Sequence, residues 1–166
     1  IVRESVCQSD SERILVFVNS VAAADQVAAL LEDAISSSAS GGSARVLRYH
    51  RDIPTDDRKS AIETITREGN VILVCTDSAA RGIDIPNVTH VVQAEFATSA
   101  VDFLHRAGRT ARAGASGRLT SLYNKEDEPL ALAIWNAVDS GMPVERAFSR
   151  KRSFRKKVRK YGKNFA

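Results

Sequence analysis

Five short apolar runs separated by helical repeats narrow most sharply what this chain can fold into. The runs lie at 14–18, 45–49, 71–75, 88–93 and 118–123. After the first, Val27, Leu30, Leu31, Ala34 and Ile35 recur at helical spacing and predict a helix over 21–34. Pro54 suits the first turn of a second helix, with Asp56 and Asp57 at its positive end, running to about residue 67. Further helices are predicted over 99–108 and 129–140. The run at 14–18, Ile-Leu-Val-Phe-Val, shows no polar alternation, as expected of a strand covered on both faces. Strands alternating with helices, joined by right-handed crossovers, give an α/β fold: an open parallel sheet with helices on both faces. The stretch 36–43, Ser-Ser-Ser-Ala-Ser-Gly-Gly-Ser, reads as a flexible surface loop.

A chain of 166 residues suffices for one domain with a sizeable core. The net charge of +4 conceals an asymmetry: the last 17 residues carry nine Lys or Arg and no acid. Subtracting those nine from the chain's 24 Lys and Arg leaves 15 against 20 Asp and Glu, so the body is acidic. The division expected is a domain over 1–148 and a basic tail over 149–166. No apolar run approaches the ~18 residues of a membrane span and no signal-peptide pattern opens the chain, so an intracellular protein without a membrane partner is expected. The first residue is Ile1, which suggests a piece cut from a longer protein. Cys7 and Cys75 lack disulfide or metal spacing, and Cys75, ending its strand, reads as a small buried thiol.

Ligands of open parallel sheets gather at the carboxyl ends of the strands. Asn19-Ser20, Thr76-Asp77 and Ala94-Glu95 follow three of those ends. Downstream, the segment 102–114 packs His105, Arg106, Arg109 and Arg112 into eight residues. Arginine keeps its charge, and its planar fork matches phosphate oxygens two at a time, so the cluster suits clamping phosphate. A helix C-terminus closed by Gly108 would account for His105 and Arg106, but not for Arg109 and Arg112. In the segment 75–84, Gly82 permits a backbone shape that other residues resist, and Asp84 can accept hydrogen bonds from a ribose hydroxyl or close an ordinary turn before Pro86. Ser20 reads either as a helix N-cap or as part of a phosphate-binding helix start. Arg58, taken alone, reads as a solvated helix charge. His50 and His90 have no metal-partner pattern; His90, in an apolar strand, is expected to be structural, and Trp135 is expected to pack its helix. In the tail, Phe154 and Tyr161 interleave with cations, which suits RNA phosphates and unpaired bases, with a localisation signal or a solubilising arm as alternatives.

The segments 105–112 (His-Arg-Ala-Gly-Arg-Thr-Ala-Arg) and 76–84 (Thr-Asp-Ser-Ala-Ala-Arg-Gly-Ile-Asp), with 14–20 upstream, resemble three ordered motifs of the C-terminal RecA-like domain of DEAD-box RNA helicases. The resemblance runs from about residue 14 to about residue 127. It implies a RecA-like sheet and half of a composite ATP site. By it, Arg109 and Arg112 sense the γ-phosphate, His105 reaches the other helicase domain, and Gly82 and Asp84 join the two arginines in holding ATP. Asn19, Ser20, Arg58, Thr76 and Asp77 would contact RNA, and Arg81 and Arg106 would couple the two domains. The implied partners are RNA and an N-terminal RecA-like domain of the same parent protein, with a monomer expected. ATP would come with Mg²⁺ held mainly by that N-terminal domain, because this chain has neither a Gly-x-x-x-x-Gly-Lys-Ser/Thr loop nor an Asp-Glu-Ala-Asp stretch, and no metal site is expected here. The fragment alone is accordingly expected neither to hydrolyse ATP nor to unwind RNA. Four positions depart from the family pattern: Thr55 for Gln, Arg51 for Gly, Ala111 for Gly and Phe103 for Tyr. A non-catalytic RNA-binding adaptor and a related DNA helicase or repair motor remain the alternatives, the His-Arg start of 105–112 favouring the DEAD-box family over relatives that begin it with Gln.

Overall fold

A computed structural model describes residues 12–37 and 44–147. The basic tail at 149–166, Cys7 and most of the serine-rich loop lie outside the described residues. Five strands form one parallel sheet: β1 (Arg13–Val18), β2 (Arg45–Tyr49), β3 (Val71–Thr76), β4 (His90–Gln93) and β5 (Arg118–Ser121). Their spatial order is β2-β3-β1-β4-β5, with every pairing parallel. Between them run α1 (Val21–Ser36), α2 (Thr55–Arg67), the short α3 (Asp77–Ala80), α4 (Ala100–Ala107) and, after β5, α5 (Glu128–Asp139).

The central position of β1 explains its unbroken apolar run. Leu15 and Phe17 point to one face and pack with Ala61 and Ile65 of α2. Ile14, Val16 and Val18 point to the other and pack with Ala24 and Ala28 of α1. Burial of each such side chain contributes roughly 1.5–3 kcal/mol, so a polar residue anywhere in β1 would be costly. A third cluster, Phe96, Ala97, Phe103, Leu130, Ile134, Val144 and Ala147, packs α4 and α5 together beyond β4. Phe103, where the family has tyrosine, lies buried there with its ring 6.2 Å from that of Phe96.

Two of the helices, α1 and α4, start where the sequence supplies a side-chain cap. Ser20 accepts a hydrogen bond from the amide of Ala23 at 3.1 Å. Ser99 accepts one from the amide of Asp102 at 3.1 Å while its hydroxyl donates to the Asp102 carboxylate at 2.6 Å. Asp56 and Asp57 sit in the first turn of α2. Several boundaries shift by one residue from the sequence reading, and three by two. The first helix continues to Ser36, β4 starts at His90, and β5 stops at Ser121. Helix α3 had no signal, because four residues are too short to display a period. His90 is buried and meets Thr120 Oγ1 at 2.9 Å, a structural role as expected. Trp135 corrects the expectation of helix packing: Leu130 and Ile134 take the inner face of α5, leaving the indole 73% exposed.

Candidate functional site

The register brings the carboxyl ends of the strands to one edge of the sheet. Val18 pairs with Thr76, and Phe17 with both Cys75 and Gln93. Asn19, Asp77 and Glu95, each just beyond its strand, therefore converge, and α4 brings Arg106 between them. Arg106 is 0% exposed. Its Nε donates to Asp77 Oδ1 at 2.7 Å and its Nη2 to Asp77 Oδ2 at 2.6 Å, a two-pronged carboxylate pair. Nη1 donates to the Glu95 carbonyl at 2.6 Å and to Gln93 Oε1 at 3.2 Å; Nη2 also donates to Asn19 Oδ1 at 2.7 Å. The Phe17 ring lies 5.4 Å from the guanidinium carbon. One side chain thus joins the ends of β1, β3 and β4. Gln93 escaped the sequence reading as a site residue, although a glutamine closing an apolar strand had to find a buried partner.

This hub uses up side chains that the sequence assigned to RNA. The Asn19 amide donates to the Phe96 carbonyl at 3.2 Å while its oxygen serves Arg106. Asp77 is committed to Arg106, Ser20 to its cap, and Thr76 is buried with its hydroxyl 3.4 Å from that of Ser78. Arg58 sits apart, on α2 beside the β2 edge. Its Nη2 donates to Thr55 Oγ1 at 3.3 Å and its guanidinium lies 6.0 Å from the Tyr49 ring centre, in a shallow groove of about 410 Å³ shared with Lys59 and Glu63. The substituted Thr55 is therefore an internal partner of Arg58. Arg51 is exposed and pairs with Asp52 at 3.4 Å.

The second half of the site is the turn after α4. Arg109 is half-buried and its Nη1 donates to the carbonyl of Ile83. Partial burial lowers its pKa first and the charge of Arg112 second, although a guanidinium stays protonated in proteins. Arg112 reaches the strap, the loop that follows α3, from outside: Nη1 donates to Asp84 Oδ1 at 2.5 Å, while Nε donates to the Gly108 carbonyl of its own turn at 2.7 Å. Gly82 has φ +80°, which turns the strap so that Ile83 and Asp84 face the two arginines. Arg81 and His105 are exposed and line a small cleft with Asp102 and Arg109. Cys75 is buried and its thiol is pushed up to about 12, chiefly by burial, so it is no nucleophile at neutral pH. Among the described residues, no group of three His, Cys, Asp or Glu side chains comes together to hold a metal.

Two features set the shape of the arginine turn. Ala111 adopts φ 55°, the left-handed region, at the position where the family has glycine. Ala111→Gly should therefore stabilise the domain by about 0.5–1 kcal/mol, the relieved strain exceeding the added freedom of the unfolded chain. A rise in Tm of about 2–4 °C would show it, and an unchanged Tm would refute the strain. A Cβ at Gly117 would lie 2.1 Å from Thr110 Oγ1 and 2.7 Å from the Ala111 amide nitrogen. Thr110 itself is buried and donates to the Val88 carbonyl at 2.6 Å, so it has little room to yield. Gly117→Ala is expected to cost about 1–3 kcal/mol in urea unfolding and to shift the amide resonances of Arg109 and Arg112.

Comparison with known proteins agrees with this geometry. The family model described as helicase conserved C-terminal domain matches residues 1–114. DEAD-box ATP-dependent RNA helicase 22 of Arabidopsis thaliana is 51% identical over 152 residues, covering 92% of this chain and 25% of that protein. Its namesake from Oryza sativa subsp. japonica is 49% identical over 148 residues, covering 89% and 24%. The chain spans about a quarter of the length of these curated relatives. Among solved structures, Mss116p DEAD-box helicase domain 2 bound to an RNA duplex superposes with a TM-score of 0.71 at 26% identity, covering 82% of this chain and 52% of that one. The E. coli DEAD-box protein SrmB bound to regulator of ribonuclease activity A gives a TM-score of 0.62 at 34% identity, covering 76% and 71%. With its parallel sheet, its strand-end hub and a family match over more than half its length, this chain belongs to the helicase conserved C-terminal domain family, as a RecA-like domain of the DEAD-box type.

Proposed function

We propose that the chain is the C-terminal half of an ATP-dependent RNA helicase, binding RNA at the carboxyl edge of its sheet and completing an ATP site formed with an N-terminal RecA-like domain. The observation that carries this reading is the gathering of Arg109, Arg112 and Asp84 on one exposed rim. Two fixed cations there suit the charge that develops on transferring phosphate, and Asp84 is an acceptor suited to a ribose diol. The residues present fit the nucleotide and not the Mg²⁺, which on this reading is held by the other domain.

On the RNA side, the committed Asn19, Ser20 and Asp77 side chains act as supports for backbone amides. The first amides of α1 lie where no carbonyl stands a turn behind them, and such groups bind phosphate oxygens without regard to sequence. Arg58 adds a cation farther along the edge. Arg106 influences the partner domain through the loops it fixes, since its own guanidinium reaches no surface. The relatedness to Mss116p domain 2, whose structure is bound to an RNA duplex, supports RNA as the ligand.

The test compares the isolated chain with the intact parent protein. The chain alone should show no ATP turnover, while the parent should hydrolyse ATP with stimulation by single-stranded RNA and little by DNA of the same sequence. Equal stimulation by both would favour a DNA motor, and absence of turnover in the parent would leave an RNA-binding adaptor.

A further inference from the structure

The nucleotide-directed groups of this domain are engaged with one another. Arg112 Nη1 stands 2.5 Å from Asp84 Oδ1, with the two side chains 42% and 86% exposed. Neither is forced into the pair by burial. Asp84 also gives weak support to the positive charge of Arg109, which Arg112 opposes, while the bond of Arg109 itself goes to the Ile83 carbonyl. A nucleotide cannot occupy the pair as it stands. Its ribose diol and its terminal phosphate are separated by two further phosphorus centres, so a ligand held by both residues must draw them apart.

We propose that Asp84 is a selectivity residue: it clasps Arg112 in the ligand-free domain, so that phosphate alone binds poorly and only a ligand with both a ribose diol and a phosphate chain releases the pair while still giving the Asp84 carboxylate hydrogen-bond donors. An inorganic polyphosphate must break the ion pair and leave the Asp84 carboxylate facing a new anion. A nucleoside triphosphate replaces each partner, hydroxyls on Asp84 and phosphoryl oxygens on Arg112. Discrimination of this kind comes from what the wrong ligand leaves unpaired. The inference rests on the proposed phosphate role of Arg112.

The test titrates inorganic tripolyphosphate, and separately ATP, into ¹⁵N-labelled chain and into D84A, R112A and D84A/R112A, following the Arg112 Nε–H where it is present. Asp84 is an exposed residue, so its removal leaves the fold in place. D84A should bind tripolyphosphate about fivefold more tightly than the parent chain, the most that an exposed ion pair typically withholds. The gain for ATP should be smaller, because the ribose contact is lost with the same residue. In the R112A background the D84A substitution should change tripolyphosphate affinity by less than about twofold. An equal gain with and without Arg112 would reduce Asp84 to a repulsive charge and overturn the clasp. So would D84A binding no tighter than the parent while R112A binds more weakly than both. Identical affinities for D84A and D84A/R112A would instead remove the phosphate role of Arg112 on which the inference stands. No titration by any of the four would overturn the clasp, since an Arg112 freed of Asp84 should take up the polyphosphate.

Discussion

Replacing Arg106 by methionine should lower the unfolding free energy by about 3–5 kcal/mol, the loss expected when one partner of a buried ion pair is removed and the other is left. Methionine roughly keeps the side-chain volume, so the loss measures the polar network. Asp77 would keep its charge without the guanidinium that holds both of its oxygens, and the Glu95 carbonyl, Gln93 and Asn19 would each lose a donor. Against a typical total of about 5–15 kcal/mol, the variant would stand near the edge of folding. Arg106→Lys retains the charge but not the planar fork and should lose less. Urea unfolding at neutral pH followed by circular dichroism gives the comparison. A cost below about 1 kcal/mol for methionine would mean that the three strand ends hold their places without the hub.

The largest effect on activity belongs to Arg112 and Arg109, and it should be nearly silent in stability. Arg112 is exposed and its ion pair with Asp84 contributes little to folding, so R112A should unfold within about 0.5 kcal/mol of the parent chain. In the intact parent protein the same substitution should reduce RNA-stimulated ATP turnover by about 10³-fold or more, as for arginines that stabilise transferring phosphate elsewhere. Arg109→Ala should behave alike, with a modest extra loss of stability from its half-buried bond to Ile83. RNA affinity should survive both substitutions in large part, because the strand-end loops are held by Arg106. Steady-state ATPase and RNA gel-shift measurements on the same preparations test the split. Turnover that persists in both variants would exclude the composite phosphate site and favour the adaptor.

The contrast between neighbouring arginines shows what the sequence could and could not convey. The layout of the sheet was readable because β1 and β3 are apolar at every inward position on both faces and the helices carry their caps in plain view at Ser20 and Ser99. The rim of Arg109, Arg112 and Asp84 was readable because those residues have no packing reason to occur at that spacing. The hub was not. Its partners Asn19, Asp77, Gln93 and Glu95 follow three different strands, and only the register of the parallel sheet brings them to one guanidinium. Sequence placed Arg106 as a helix-end charge, or by resemblance as a coupling residue, without any sign that it would be fully buried. Trp135 failed for a different reason. Helix α5 carries two apolar stripes, one through Leu130 and Ile134 and one through Leu132, Trp135 and Val138, and periodicity alone cannot tell which of them faces the core.

That outward indole has a practical consequence, since it is the sole tryptophan of the chain. Its emission should already be red-shifted and open to acrylamide in the native state, so intrinsic fluorescence will barely register denaturation. The same optical signal should instead respond sharply to whatever covers the outward stripe of helix α5, a built-in beacon for association on that face.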